Sequence, residues 1–172
     1  MRLIVDKIIE TSRLYIRKLS LSDAEQLKTV LGDAEVMRYS LKGALDESGI
    51  KDYINKILSH YELYGYGLWG LVLKETREIV GIAGLISQSI EDTPYIELAY
   101  RLAKKYWGRG FATEAAQAIK EFAFNKLNIK KLISIIEPKN ISSIKVARRI
   151  GMKKAKSAKF YEFNVDIYEI KN

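Results

Sequence analysis

The sequence predicts an α+β fold, a mixed α/β layout in which one strand–helix–strand crossover links a meander to a closing hairpin. Three observations carry this. Strand-like apolar runs at Leu68–Lys74, Ile79–Ser87 and Tyr95–Leu102 follow one another with only short turns between them. Ala112, Ala115, Ala116, Ile119, Phe122 and Ala123 then recur at helical spacing, separating Tyr95–Leu102 from a further apolar run at Leu132–Glu137. Two helical stretches precede the meander. The order is β-α-α-β-β-β-α-β-α-β-β, and residues 95–137 should form a parallel, right-handed crossover.

Each element has its own local reason. Leu14–Leu19 reads as the first strand. Ser22, with Glu25 three residues later, reads as the capped start of a helix that stops near Gly32. Ile50, Tyr53, Ile54, Ile57, Leu58 and Tyr61 place a second helix over about Glu47 to Tyr64. Met37 to Leu45, between the two, carries no clear period and is ambiguous, with loop one reading. Glu75–Glu78 is a hairpin turn, and Gly81 and Gly84 inside the following strand signal a bulge or a close backbone approach. The crossover helix runs from about Gly110 to Lys126. A short helix over Ile141–Ile150 ends at Gly151, and Lys153–Phe160 and Asn164–Ile170 form the last strands. No repeat or linker interrupts the 172 residues, so one domain over 1–172 is expected.

Composition narrows the chemistry. The chain has no cysteine and a single histidine, His60. Disulfides, thiolate metal ligands and cysteine nucleophiles are thereby excluded, and a histidine-built metal site would lack companions. No metal is expected. His60 lies within an amphipathic helical pattern and reads as a surface or half-buried structural residue. No apolar stretch approaches the roughly 20 residues that cross a bilayer, and a charge at Asp6 comes too early for a secretory signal. A cytoplasmic location is the expectation. The net charge of +8 attracts an anionic partner, a phosphate-rich small molecule or nucleic acid, and much of it falls in the second half of the chain.

The segment Lys104-Lys105-Tyr106-Trp107-Gly108-Arg109-Gly110-Phe111-Ala112-Thr113 joins a strand to the alanine-rich helix. Two glycines one residue apart admit positive φ and close approach of a ligand to the backbone. The first helical turn leaves its N–H groups without internal partners, and the helix dipole adds positive potential, so the turn is an anion site. It is not a Walker A loop, because no Gly-Lys-Ser/Thr follows. It also departs from the dinucleotide fingerprint, with Thr113 where the third glycine belongs.

Lys105-Tyr106-Trp107-Gly108-Arg109-Gly110 resembles motif A of the GNAT superfamily of acyl-CoA-dependent N-acyltransferases, with lysine replacing the usual first glutamine or arginine. Trp107 to Ala115 is similar to the branch of ribosomal-protein alanine N-acetyltransferases. So, in order, are Thr11–Arg17, Ile96–Tyr100, Asn140–Ser143 and Ile150–Met152. The resemblance spans nearly the whole chain. It implies a GNAT fold, with a mixed sheet splayed open between Tyr95–Leu102 and Leu132–Glu137 and flanked by helices. It further implies that acetyl-CoA lies in the splay. Its pantetheine would run along the strand carrying Leu98, Tyr100 and Leu102. Its pyrophosphate would sit on the amides of Gly108, Arg109, Gly110, Phe111, Ala112 and Thr113. Lys105 and Arg109 could add charge-assisted contacts, though either side chain also reads as a plain loop cation.

Amide formation from a thioester needs a neutral amine and a protonated leaving thiol. Without cysteine, direct transfer in a ternary complex is the natural route. Alternation puts Ile96, Leu98, Tyr100 and Leu102 on one face of their strand and Glu97 on the other. The residues alone leave Glu97 as either a solvent-facing carboxylate or a base; the resemblance favours the general base, acting directly or through water. Glu97→Gln is expected to lower turnover far more than cofactor affinity, most severely at low pH. Asn140 and Ser143 read as a helix cap and first-turn residue. The resemblance adds cofactor contact or amine orientation for Asn140, and protonation of the departing thiolate for Ser143. Tyr100, Tyr106 and Trp107 read as cleft packing.

The acceptor is expected to be a primary amine, either a protein amino terminus or a small molecule. Its pocket should be walled by Met37–Leu45, Glu62–Gly67 and the final hairpin. Two other readings compete: a non-catalytic acyl-CoA sensor or interaction module, and nucleic-acid binding, for which no recognition motif is visible. The resemblance also suggests a homodimer.

Overall fold

The computed structural model describes residues 6–172. Eight strands form one mixed sheet in the order β1-β2-β3-β4-β5-β6-β8-β7. They are β1 (Lys7–Glu10), β2 (Leu14–Arg17), β3 (Leu68–Leu73), β4 (Ile79–Ile90), β5 (Thr93–Leu102), β6 (Lys131–Ile136), β7 (Lys153–Phe160) and β8 (Phe163–Lys171). Among the described residues four α-helices cover it: α1 (Ala24–Leu31), α2 (Glu47–Tyr64), α3 (Phe111–Asn125) and α4 (Ile141–Arg149). Tyr53 of α2 packs toward Arg101 of β5. On the other face, Trp69 of β3 meets Phe122 of α3 edge-on at 5.8 Å, and Tyr100 of β5 bonds to α4. The sheet is therefore sandwiched between α1–α2 and α3–α4.

The predicted mixed fold and its splay are present. β5 and β6 are parallel, as the crossover requires, yet share a single register pair, Glu97 with Ile133. Every other neighbouring pair is antiparallel. Both glycine signals in β4 are explained. A Cβ on Gly84 would lie 2.0 Å from the Gly67 carbonyl oxygen, and one on Gly81 2.3 Å from that of Arg101. The β3–β4 register also slips between Leu71 and Val72, a bulge beside Gly81.

Three details differ from the sequence reading. β1 precedes the first predicted strand; Ile8-Ile9 between charges is too short a run to announce a strand that gains its partners only from β2. The first helix is entered through a short 3-10 turn at Leu21–Asp23. Ser20 and Asp23, and not Ser22 and Glu25, form its capping box, with the Ser20 amide donating to Asp23 at 2.8 Å. Asp23 also takes a bidentate bond from Arg17, which fixes the helix to β2. Finally, β4 and β5 extend to a two-residue turn, Glu91-Asp92, with φ of 50° and 62°. Two left-handed residues match a type I′ hairpin, a turn ordinarily signalled by Asn-Gly or Asp-Gly.

Candidate active site

The splay leaves main-chain groups of β5 and β6 without strand partners, and side chains take their place. The Ser134 hydroxyl, itself buried, donates to the Leu98 carbonyl at 2.6 Å. The Ile135 amide donates to the Glu97 carboxylate, which also accepts from Gln88 Nε2 at 2.9 Å. Beyond these struts the strands diverge around a cleft of about 650 Å³. Glu97, Leu98, Tyr100 and Leu102 line one side of it, and Asn140, Ser143, Lys145 and Arg149 the other.

At its far end lies the glycine turn. Gly108 and Gly110 have φ of 69° and 80°, in the left-handed region where a Cβ is strained. Gly110 enters α3, and Glu114 N–H is bonded to its carbonyl at 3.0 Å. The amides of Phe111, Ala112 and Thr113 precede that first helical bond and lie along the cleft. The turn is clamped from behind. Glu114 accepts from Thr11 Oγ1 at 2.6 Å, from the Arg13 amide at 2.8 Å and from Arg13 Nε at 2.6 Å. Arg13 also donates to the Arg109 carbonyl at 2.9 Å and lies over the Phe111 ring. Burial raises the Glu114 pKa, but the bonds from Thr11, Arg13 and Ser12 outweigh it and hold the carboxyl below its ordinary value. A carboxylate at an anion-binding helix start is thereby offset by a guanidinium.

Lys105 and Arg109 stand outside the cleft lining. Lys105 pairs with Glu78 at 3.3 Å, and the Arg109 guanidinium lies over the rings of Tyr106 and Phe111. Asn140 caps α4, its Oδ1 accepting from the Ser143 amide at 3.2 Å, as a helix start requires. Tyr100 crosses the cleft to donate to the Ser143 carbonyl at 2.7 Å, and burial pushes its phenol pKa up. Tyr106 is buried and donates to Glu78; the Trp107 indole donates to the Leu102 carbonyl at 2.9 Å.

On the α2 side of the sheet a second cleft, of about 690 Å³, opens under the Met37–Leu45 segment and beside the β7–β8 hairpin. Glu97 lines both clefts. Part of its surface faces them, but protein surrounds the carboxyl, and this burial pushes its pKa up to about 7. The bonds from Gln88 and Ile135 and the charge of Arg101 act in the lowering direction and are outweighed. His60 serves structure: its Nδ1 meets the Tyr66 carbonyl at 2.7 Å while Nε2 accepts from the Ser87 amide at 3.1 Å. That pairing fixes the tautomer and ties α2 to β4.

Sequence reasoning missed Gln88, Arg101, Ser134 and the Arg13–Glu114 clamp. Only the clamp left a signal, in the Thr11-Ser12-Arg13 segment, and nothing local connected that segment with residue 114.

The splayed sheet, with the amides of a helix start facing its cleft, is the layout expected of an acyltransferase. Residues 13–153 match the family model for the acetyltransferase (GNAT) domain, and the chain belongs to that family of acetyl-CoA-dependent acetyltransferases. It is 32% identical to the uncharacterized protein YkkB of Bacillus subtilis (strain 168), over 94% of each chain. It is 31% identical to the uncharacterized N-acetyltransferase p20 of Bacillus licheniformis, over 88% of this chain and 85% of that one. The fold is shared with the solved structure of RimL, a ribosomal L7/L12 alpha-N-protein acetyltransferase in complex with coenzyme A. There the TM-score is 0.81 at 16% identity, covering 96% of this chain and 98% of that one. Among the described residues no helix is long and apolar enough to cross a membrane.

Proposed function

We propose that residues 1–172 form one N-acetyltransferase domain that passes the acetyl group of acetyl-CoA directly to a primary amine, in a ternary complex, with Glu97 as general base. The observation that carries this is the place of Glu97, at the junction of two clefts with its carboxyl pushed up to about 7. A base with a pKa near the working pH combines an adequate ionised fraction with useful proton affinity.

The residues of the first cleft suit a long, polyanionic donor. The amides of Gly108 to Thr113 offer donors to a pyrophosphate, backed by the α3 dipole. Lys145 and Arg149 on the facing wall add positive charge; Lys105 and Arg109 add to the field from outside the lining. Leu98, Tyr100 and Leu102 present the free strand edge along which pantetheine can lie. A protein of the same fold, RimL, is solved in complex with coenzyme A, which supports the choice of donor.

The donor supplies an activated acetyl thioester: a C–N bond forms as the C–S bond breaks. Glu97 takes the proton released by the amine, directly or through one water. Asn140, already fixed by its cap to Ser143, has its amide N–H2 to orient the reactants. The Ser143 hydroxyl, on the cleft wall, passes a proton to the departing thiolate and regains one from solvent water. The acceptor amine, a protein amino terminus or a small molecule, enters from the second cleft.

Calorimetric titration with acetyl-CoA and thiol release on amine and peptide panels test this reading. Micromolar acetyl-CoA binding and amine-dependent thiol release are expected. Absence of acetyl-CoA binding, or duplex DNA binding with a steep salt dependence, would overturn it.

A further inference from the structure

The second cleft carries chemistry that acetyl transfer alone does not use. On its floor β5 presents Glu97, Ala99 and Arg101 in alternation on the α2 face, and all three also border the first cleft, so they stand where the two clefts meet. The small Ala99 leaves a notch between a carboxylate and a guanidinium. Arg101 is half-buried and belongs to no ion pair among the described residues. Its neighbour on α2 is the Tyr53 phenol, whose pKa burial raises and Arg101 counters in part. A neutral phenol does not balance a guanidinium. The charged residues Lys42, Asp52 and Lys56 lie at the exposed mouth, and Glu137 closes the β6 end. Between these, Ile57, Ile82, Ile86, Phe160 and Phe163 make the wall largely apolar.

We propose that Arg101 is the anion-recognising residue of the acceptor cleft, and that the acceptor is a free amino acid with a large apolar side chain. The assignment rests on the acetyl-transfer reading and deepens it. The ammonium of such a molecule goes to Glu97 and its carboxylate to Arg101, which offers the planar, paired donors that a carboxylate matches. The apolar body fills the wall, and a cleft of this size falls in the range of small-molecule sites. A polyamine would set a second cation against Arg101. A simple amine would leave the guanidinium unpaired in a largely apolar cleft, and a partly buried charge without a partner is disfavoured.

The test compares phenylalanine, leucine and methionine with their primary amides and their decarboxylated amines, alongside spermidine and an amino-terminal peptide. Each is assayed by thiol release with wild type, Arg101→Gln and Arg101→Lys. Wild type should favour the amino acids over their amides by at least about tenfold in kcat/KM. Arg101→Gln should reduce that preference to within about threefold, and Arg101→Lys should retain part of it, with all rates read at saturating acetyl-CoA because Arg101 also borders the first cleft. Comparing two acceptors on the same variant cancels the effect of Arg101 on the shared base, because the Glu97 change enters both rates. Preference for the amide, spermidine or the peptide in wild type, or an unchanged preference in Arg101→Gln, overturns the assignment and leaves acetyl transfer standing. Acetyl-CoA binding with no acetylation of any acceptor overturns both. The wild-type comparison needs no variant to fold.

Discussion

Replacing Glu97 with glutamine should slow the enzyme and steady it at once, and both effects have a calculable pH dependence. The Glu97 carboxyl titrates at about 7 in the folded protein against an ordinary value of 4.5. Below the ordinary value it is protonated in folded and unfolded chains alike, and contributes nothing. As pH rises toward 7 the unfolded chain ionises first, so wild-type stability falls. Above 7 the full penalty, about 3 kcal/mol, is in place. Glu97→Gln keeps the shape and a hydrogen-bonding partner for Gln88 but cannot ionise. Urea unfolding at about pH 8 should therefore find the variant more stable by up to about 3 kcal/mol, with the difference vanishing below about pH 4.5.

Turnover moves the other way. At pH values above 7 the variant should lose about 10²–10⁴-fold in kcat, with acetyl-CoA affinity little changed. The wild-type advantage should shrink about tenfold per pH unit below 7, as the base becomes protonated. The raised carboxyl thus shifts the window of greatest loss from low pH, where the sequence reading put it, to the range between pH 7 and the titration of the acceptor ammonium. Measuring the ratio of wild-type to variant rates removes the acceptor's own titration. A ratio that stays flat with pH, together with no stability difference at pH 8, would refute the role of Glu97.

Three further outcomes follow from the same geometry. Arg13→Ala removes the cationic partner of Glu114 and the donor to the Arg109 carbonyl while leaving the Thr11, Ser12 and main-chain donors, and should cost about 1–3 kcal/mol while weakening acetyl-CoA binding about tenfold in calorimetry; unchanged affinity would mean the turn needs no guanidinium in its clamp. Gly84→Ala forces a Cβ against the Gly67 carbonyl and should destabilise by about 3 kcal/mol or more in urea melts. Tyr100→Phe loses one hydrogen bond to α4 and should cost about 1 kcal/mol with kcat within a fewfold of wild type; a loss of about 10²-fold or more in kcat would make Tyr100 a proton donor instead of a brace.

Elements whose signal is local were readable from the chain. The Ile50–Tyr61 repeat announced α2 to the residue, and the paired glycines at 108 and 110 announced a strained turn before a helix. Alternation put Glu97 opposite Leu98. It could not reveal the carboxyl's environment, because Gln88 lies nine residues back on β4 and Ile135 beyond the crossover helix. Ser134 reads as an ordinary polar break in β6; only the divergence from β5 gives its hydroxyl a carbonyl to satisfy. Arg101 likewise reads as a surface arginine until α2 and the hairpin enclose it. The Glu91-Asp92 turn was hidden for another reason, since neither residue is the glycine or asparagine that left-handed backbone usually selects.

The clamp on the glycine turn joins residues 101 positions apart in the chain. During synthesis Thr11, Ser12 and Arg13 leave the ribosome long before Glu114 exists, and β2 must wait for β3 even to find its place in the sheet. The clamp behind the anion-binding turn therefore closes only once residues from both ends of that span are in place. A chain trimmed of Thr11 to Arg13 would lose these donors to Glu114, and with them the long-range support of a turn whose own sequence lies a hundred residues away.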